Sequence, residues 1–246
     1  NINSNNTLSI LVWNLQIFGD SKASNEELMN KYYLTMNGHD IIIVQEIRDS
    51  DGSAFIELCS MFEDENYECE ISSRAGRSVS KEQYGIIYKN YISLDELVDY
   101  NPDELDRWER PPIRMDFSIA NSMANYSFSI YTIHTKPEDA RAEMIALENQ
   151  INEDISLGLD TNIIIVGDLN ADCSYYDEDN RHFDENDGWN WIIENDADTT
   201  VSNSNCAYDR IIMNDNAFEE YIYYNINKDV TSDISDHYPV QFLIKI

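Results

Sequence analysis

IIIVGDLNADCSYY, residues 163–176, is the stretch that decides how this chain is read. It opens on β-branched residues in a run long enough for a strand buried on both faces. It ends in Asp168, Asn170 and Asp172. Asp168 and Asn170, one residue apart at a strand end, bring a metal- or phosphate-facing oxygen and an amide donor into one cleft. An Asx turn that merely closes a strand would read the same way, so the remaining strings have to decide.

Four other segments repeat the design. They are WNLQIFG at 13–19, IIIVQEIRDS at 41–50, YTIHTKPEDARAE at 131–143, and NCAYDRII at 205–212 followed by ISDHYPV at 234–240. Each is an apolar strand that delivers Asn14, Glu46, His134, Asp209, or Asp236 with His237, to its end or to the loop beside it. Glu46 closes a fully apolar run, a costly place for a carboxylate unless a cation meets it. Of the 4 histidines, His134 and His237 stand inside these strings, whereas His39 and His182 read as surface or satisfied core residues. A catalytic histidine also needs a carboxylate to set its tautomer and basicity.

Composition bounds the rest. The 246 residues, 42% hydrophobic, suffice for a sizeable core, and with only 5 Pro and 8 Gly and no visible repeat, a single domain over 1–246 is expected, with 1–7 as a lead-in. No run of eighteen apolar residues exists, so no membrane span is expected, and NINSNNTLSI lacks the basic and apolar regions of a signal peptide, as in a chain whose leader has been trimmed. The charge is extreme: 47 acidic against 16 basic residues, net -31. A generic acidic protein is one reading; adaptation to a saline habitat is the other, since at about 1 M salt the Debye length is roughly 3 Å and self-repulsion is screened.

Helices are expected from Ser24, as N-cap, into the segment before 41, over 53–65 and over 137–157; strands are expected at 8–14, 41–46, 67–72, 84–89, 93–99, 112–119, 126–133, 162–167, 207–213 and 238–245. Residues 176–188, polar and acidic, read as an exposed loop. The mixture fits an α/β fold with two sheets and outer helices, though periodicity alone allows other α/β folds.

Taken together, these strings resemble the endonuclease/exonuclease/phosphatase superfamily, and within it the deoxyribonuclease I family, over Leu8 to Ile246. GDLNADCSYY paired with NCAYDRI carries the branch, because abasic-site endonucleases, sphingomyelinases and inositol phosphatases share GDxN and SDH without this cysteine pair. The resemblance implies a four-layer α/β sandwich and a largely sequence-nonspecific endonuclease on double-stranded DNA that leaves 5′-phosphate ends, secreted and monomeric. Another phosphodiesterase or phosphatase of the superfamily, acting on a small phosphate ester or phospholipid head group, is the alternative.

The resemblance also implies roles. Glu82 pairs with His134 and Asp209 with His237; His237 would activate water and His134 protonate the leaving oxygen, or the reverse. Glu46, Asn14 and Asp236 would hold Mg²⁺ or Mn²⁺, with Asp168 and Asn170 opposite, since oxygen-only ligation argues against zinc. Asp198, Thr200 and Ser204 match a structural Ca²⁺ loop, a position that a plain polar turn would also fill. Asp99, Asp103 and Asp106 fall where the family's other calcium region is rewritten as YNPDELDRWERPP; they could still bind an ion there, but no residue carries over. Arg48, Arg77, Arg110 and Tyr175 match DNA contacts, while Gln16 stands in place of an arginine and Ser80 in place of a sugar-packing tyrosine. Cys173 pairs with Cys206; Cys59 and Cys69 are either a second disulfide or two buried thiols.

Overall fold

In the computed structural model, which describes residues 6–120, 125–159, 162–177 and 181–246, the chain folds as two six-stranded sheets packed face to face. The first contains β1 (Thr7–Phe18), β2 (Ile41–Ile47), β3 (Tyr67–Ile71), β4 (Gln83–Lys89), β11 (Tyr221–Ile226) and β12 (Val240–Lys245), in the order β11-β12-β1-β2-β4-β3. The second contains β5 (Ser93–Asp99), β6 (Ile113–Ala120), β7 (Asn125–Thr132), β8 (Ile163–Asp168), β9 (Trp189–Trp191) and β10 (Asp209–Asn214), in the order β5-β6-β7-β8-β10-β9. Each sheet has one parallel pair at its middle, β1 with β2 and β7 with β8, and is antiparallel elsewhere.

The continuous apolar runs follow from this layering. Along β1, Ile10 and Val12 face the opposite sheet while Leu11 and Trp13 face α2 (Glu26–Met36) and α3 (Ser53–Ser60). Along β8, Ile164 and Val166 join the same inter-sheet core while Ile163 and Ile165 pack on α4 (Ala140–Ser156). A strand covered on both faces has no polar side to show, so alternation is absent from its sequence. The result is the expected α/β/β/α sandwich.

Several local expectations change. The α2 N-cap is Asn25, whose side chain accepts from Leu28 N; Ser24 instead ends the short α1 (Asp20–Ala23). The helix expected over 53–65 stops at Ser60, and a 3-10 turn at Glu63–Glu65 ends on left-handed Asn66, φ 62°. The long helix begins as a 3-10 turn at Pro137–Asp139 before α4. Strands β9 and β11 and the short α5 (Asp215–Phe218) lie outside the expected elements. The 176–188 segment is not wholly exposed: Phe183 and Tyr176 are buried against Trp189 and Trp191, while residues 178–180 lie outside the described residues. The expected lead-in ends earlier than 7, since β1 starts at Thr7; residues 1–5 also lie outside the described residues.

Both cysteine pairs are disulfides, Cys173 with Cys206 and Cys59 with Cys69. The first closes a loop across 33 residues, worth about 3–4 kcal/mol on the chain-entropy model, and ties the turn after β8 to the approach of β10. The second resolves the open alternative and fastens the end of α3 to β3.

Candidate active site

The C-terminal ends of the two parallel pairs meet. Gln45, fully buried in β2, donates from Nε2 to Thr132 Oγ1 at 3.0 Å and Ile133 O at 2.9 Å, and accepts from Asp168 N at 2.9 Å. One amide thus stitches the first sheet to two strands of the second. Gly167 permits this approach: its φ is +130°, and a Cβ there would fall 2.3 Å from Gln45 Nε2 and 2.5 Å from Ile133 O. Gln45 was not among the expected site residues, although a polar residue inside an apolar run was its signal.

Asp168 occupies the centre. Its Oδ2 lies 3.4 Å from His134 Nε2 and 3.4 Å from His237 Nε2, and it accepts from Asn14 Nδ2 at 3.1 Å. Behind His134, Nδ1 meets Glu82 Oε2 at 2.8 Å; behind His237, Nδ1 meets Asp209 Oδ2 at 2.8 Å. Each dyad crosses the sandwich. His134 follows β7 in the second sheet and Glu82 precedes β4 in the first, while His237 precedes β12 in the first and Asp209 opens β10 in the second. Sheet packing therefore sets both imidazoles. Tyr84 OH accepts from His134 N at 3.0 Å, and Trp13 Nε1 donates to His237 O at 2.9 Å, which holds the backbone of each.

Burial alone would lower the pKa of His237, but Asp209 and Asp168 outweigh it and push it up to about 10. For His134, burial and then Arg110 act downward, and Asp168 with Glu82 still leaves it raised. Glu82 goes against its own burial: His134 and Arg110 hold it below the usual carboxylate range. Asp209, with burial as the main cause, is raised.

Glu46 stands beside this centre. Asn14 Nδ2 donates to Glu46 Oε1 at 3.0 Å, and Ile17 N donates to Glu46 Oε2 at 2.8 Å. Glu46, Glu82 and His134 each place one ligand atom within 4.8 Å of the others. Asn14 differs from the expectation that it presents an oxygen to a metal: its Oδ1 accepts from Gln16 N at 2.9 Å, and its NH₂ spans the two carboxylates. Asp236 lies 3.7 Å from His237 Nε2, and its Oδ1 is buried without a hydrogen-bond partner. Lys22, also not expected, enters from below, donating to Leu15 O at 2.7 Å and Ile234 O at 3.0 Å. Three non-glycine residues here have left-handed backbone, Gln16, Ile17 and Glu46, with φ of 50°, 53° and 59°. For β-branched Ile17 that conformation costs on the order of 1–3 kcal/mol, held in place by the hydrogen bond to Glu46.

Asn170 supports rather than faces the cleft in part: its N–H donates to Asp168 Oδ1 at 3.2 Å and its Nδ2 to Thr135 O at 3.0 Å. The expected DNA-facing arginines divide. Arg110 points inward, donating to His134 O, Thr135 O and Glu82 Oε1 at 2.9, 3.0 and 3.3 Å. Arg77 is held by Asp106 at 2.6 Å and Glu109 at 3.9 Å. Arg48 forms no ion pair among the described residues and lies near enough to Glu82 to lower its pKa. Tyr175 is 38% exposed beside Tyr208, with ring centroids 5.6 Å apart.

In the rewritten calcium region the acidic residues have separate partners. Asp99 accepts from Ser73 N and Asn101 N, Asp103 pairs with Arg107 and Asp106 with Arg77, so the three carboxylates are spent separately. The first loop is gathered: Thr200 Oγ1 bonds Asp198 Oδ1 at 3.2 Å and Ser204 O at 2.7 Å, and Thr200 bridges to His237 through the backbone. Ser80, which stands in place of a sugar-packing tyrosine, is exposed.

Similarity to known proteins agrees with this geometry. Residues 11–237 match the Endonuclease/Exonuclease/phosphatase family. Chicken deoxyribonuclease-1 is 33% identical over 97% of this chain and 93% of its own, and mouse deoxyribonuclease-1-like 2 is 30% identical over 97% and 92%. Among solved structures, a mannosyl-6-phosphatase of Bacteroides thetaiotaomicron superposes with a TM-score of 0.64 at 15% identity, covering 96% of this chain and 99% of its own, a likeness of fold alone. The chain belongs to the endonuclease/exonuclease/phosphatase family, in its deoxyribonuclease I branch.

Proposed function

We propose that this deoxyribonuclease I-like hydrolase is a metal-dependent endonuclease that cuts the backbone of double-stranded DNA with little sequence specificity and leaves 5′-phosphate ends. The observation that carries the reading is the convergence of two carboxylate-backed imidazoles on one oxygen of Asp168, each at 3.4 Å. Hydrolysis of a phosphodiester needs a base for water and an acid for the leaving oxygen, and this geometry brings a candidate for each to one point.

The charge around the two histidines favours the exchange of roles that the sequence left open. His237, held protonated by Asp209 and Asp168, suits the acid; His134, whose protonation Arg110 opposes, suits the base. In this scheme His134 Nε2 takes a proton from water as its oxygen bonds to phosphorus, and His237 Nε2 gives a proton to the 3′ oxygen as the P–O3′ bond breaks. In this reading the remaining amide proton of Asn170 and the guanidinium of Arg48 would meet the non-bridging oxygens.

The orphaned Asp236 Oδ1 and the carboxylate donors of Glu46, Asp168 and Asp236 fit a hard divalent cation, Mg²⁺ or Mn²⁺. Held by Glu46 with Asp236 and Asp168, it would supply positive charge to the non-bridging oxygens in a cleft otherwise rich in carboxylates. In the loop of Asp198, Thr200 and Ser204, Ca²⁺ would brace the backbone that pairs with His237.

A second reading has one observation in its favour. With Arg77 and Arg110 ion-paired, the grip on a long polyanion rests mainly on Arg48, which suits a small phosphate ester better. The disulfides and the branch fit an extracellular setting. Net -31 suits one of high salt.

Digestion of supercoiled plasmid in a grid of Mg²⁺, EDTA and NaCl, with parallel assays for released phosphate and choline, tests these readings together. Relaxation with 5′-phosphate ends, abolished by EDTA, is expected. Because few Lys and Arg release counterions while net charge repels DNA, the rate should hold or rise up to about 0.5 M NaCl, where the Debye length is roughly 4–5 Å. Release of phosphate or choline without relaxation contradicts the nuclease reading, and a steady fall with salt in folded protein contradicts the salt reading.

A further inference from the structure

Three carboxylates outside the catalytic cleft meet where the chain leaves β1 and β2. Asp20 begins α1, and Asp49 and Asp51 lie in the turn that leads from β2 to α3. One oxygen from each falls within 4.8 Å of the other two. The two corners are fixed to each other, because Arg48 N donates to Phe18 O at 2.7 Å.

Capping of α3 explains only part of the cluster. Ala54 N donates to Asp49 Oδ2 at 3.2 Å and Ser53 N to Asp51 Oδ1 at 3.1 Å. Asp49 Oδ1 is left over. Asp49 is 7% exposed, and this oxygen is shielded from solvent and accepts no hydrogen bond. Among the described residues no ion pair involves Asp20, Asp49 or Asp51. An ionised oxygen buried without a donor, with two more carboxylates beside it, is strongly unfavourable unless a cation meets all three.

We propose that Asp20, Asp49 and Asp51 form a Ca²⁺ site, separate from the catalytic cleft and independent of the nuclease reading. Oxygen-only donors select a hard cation. Ca²⁺ accepts about six to eight oxygens in flexible geometry, whereas Mg²⁺ is usually held by only one or two carboxylates and keeps most of its waters, so three convergent carboxylates suit the larger ion. Asp20 and Asp51 are exposed, which leaves the remaining coordination positions to water. The ion would clamp the 18–20 corner to the 48–51 turn. That clamp braces the strained Gln16 and Ile17 and the turn carrying Arg48, the outer wall beside Glu46.

The test is hydrogen exchange by mass spectrometry on the full chain, with calorimetric titration of Ca²⁺. In Mg²⁺ buffer, added Ca²⁺ should slow exchange about tenfold or more in peptides covering 18–23 and 47–55. In Asp20→Asn/Asp51→Asn, both changes at exposed positions, this slowing should disappear while Ca²⁺ effects elsewhere persist, and the titration should report one bound Ca²⁺ fewer. Asp49→Asn, which retains an oxygen for Ala54 N, should behave alike. No slowing in the native chain, or equal slowing in the double variant, overturns the site; equal slowing by Mg²⁺ alone overturns the choice of Ca²⁺.

Discussion

His134 and His237 approach the same oxygen of Asp168 at 3.4 Å, each with a carboxylate 2.8 Å behind it, yet what stands behind the carboxylates differs. Glu82 is met by the Arg110 guanidinium at 3.3 Å, which stabilises its charge and opposes protonation of His134. Asp209 has no such cation among the described residues; its backbone N donates to Thr199 Oγ1 at 3.1 Å, and its charge is balanced by His237 itself. Of two arms of one shape, one carries an arginine that opposes protonation of its imidazole. The proposed mechanism needs one neutral and one charged imidazole, and that asymmetry is its basis for assigning the roles.

The comparison is tested most severely by removing each arm. His134→Gln and His237→Gln should each lower plasmid cleavage by about 10² to 10⁴, the reach of acid-base catalysis, with circular dichroism unchanged. Near-normal cleavage by both would remove the mechanism. A smaller effect is expected from Arg110→Gln, about tenfold, because His134 and Glu82 remain in place. Its signature lies in the pH profile. Without the guanidinium the His134 pKa rises, so the limb on which activity climbs with pH should move to higher pH; an unmoved limb would show that Arg110 only packs.

The His237 arm can be sharpened through stability. Its pKa is higher folded, about 10, than unfolded, about 6.5, so the stability it contributes is complete below about pH 6.5 and is lost as pH rises towards 10. At 1.36 kcal/mol per unit the contribution is on the order of 5 kcal/mol at most. In EDTA, the gap in melting temperature between the native chain and His237→Gln should be widest near pH 6 and narrow by pH 9.5. A gap independent of pH would mean that the variant loses packing and not charge.

The central strands could be read from sequence because burial on both faces leaves a continuous apolar run, as in 41–47 and 163–168. The edge strands β3 and β5 were also legible, but β9 and β11 were not: β11 alternates weakly, has no buried residue and pairs only with β12 among the described residues. The site divides in the same way. Residues that end apolar strands, such as Asp168, Glu46 and His134, announce themselves by the cost of placing charge there. Gln45, whose partner Asp168 lies 123 residues away, and Arg110, which turns inward to His134 and not outward to a phosphate, take their roles from contacts between sheets that no local pattern encodes. The left-handed backbone at Gln16, Ile17 and Glu46 is hidden for the same reason, since none of these residues favours it.

The most direct test of the two-arm account uses a DNA substrate whose 3′ bridging oxygen is replaced by sulfur. A thiolate leaves without being protonated, so the arm that acts as the acid becomes dispensable and the arm that acts as the base does not. His237→Gln should regain most of its lost rate on the sulfur substrate, and His134→Gln should remain as impaired as on ordinary DNA. Rescue of His134→Gln with no rescue of His237→Gln would contradict the assignment that Arg110 imposes.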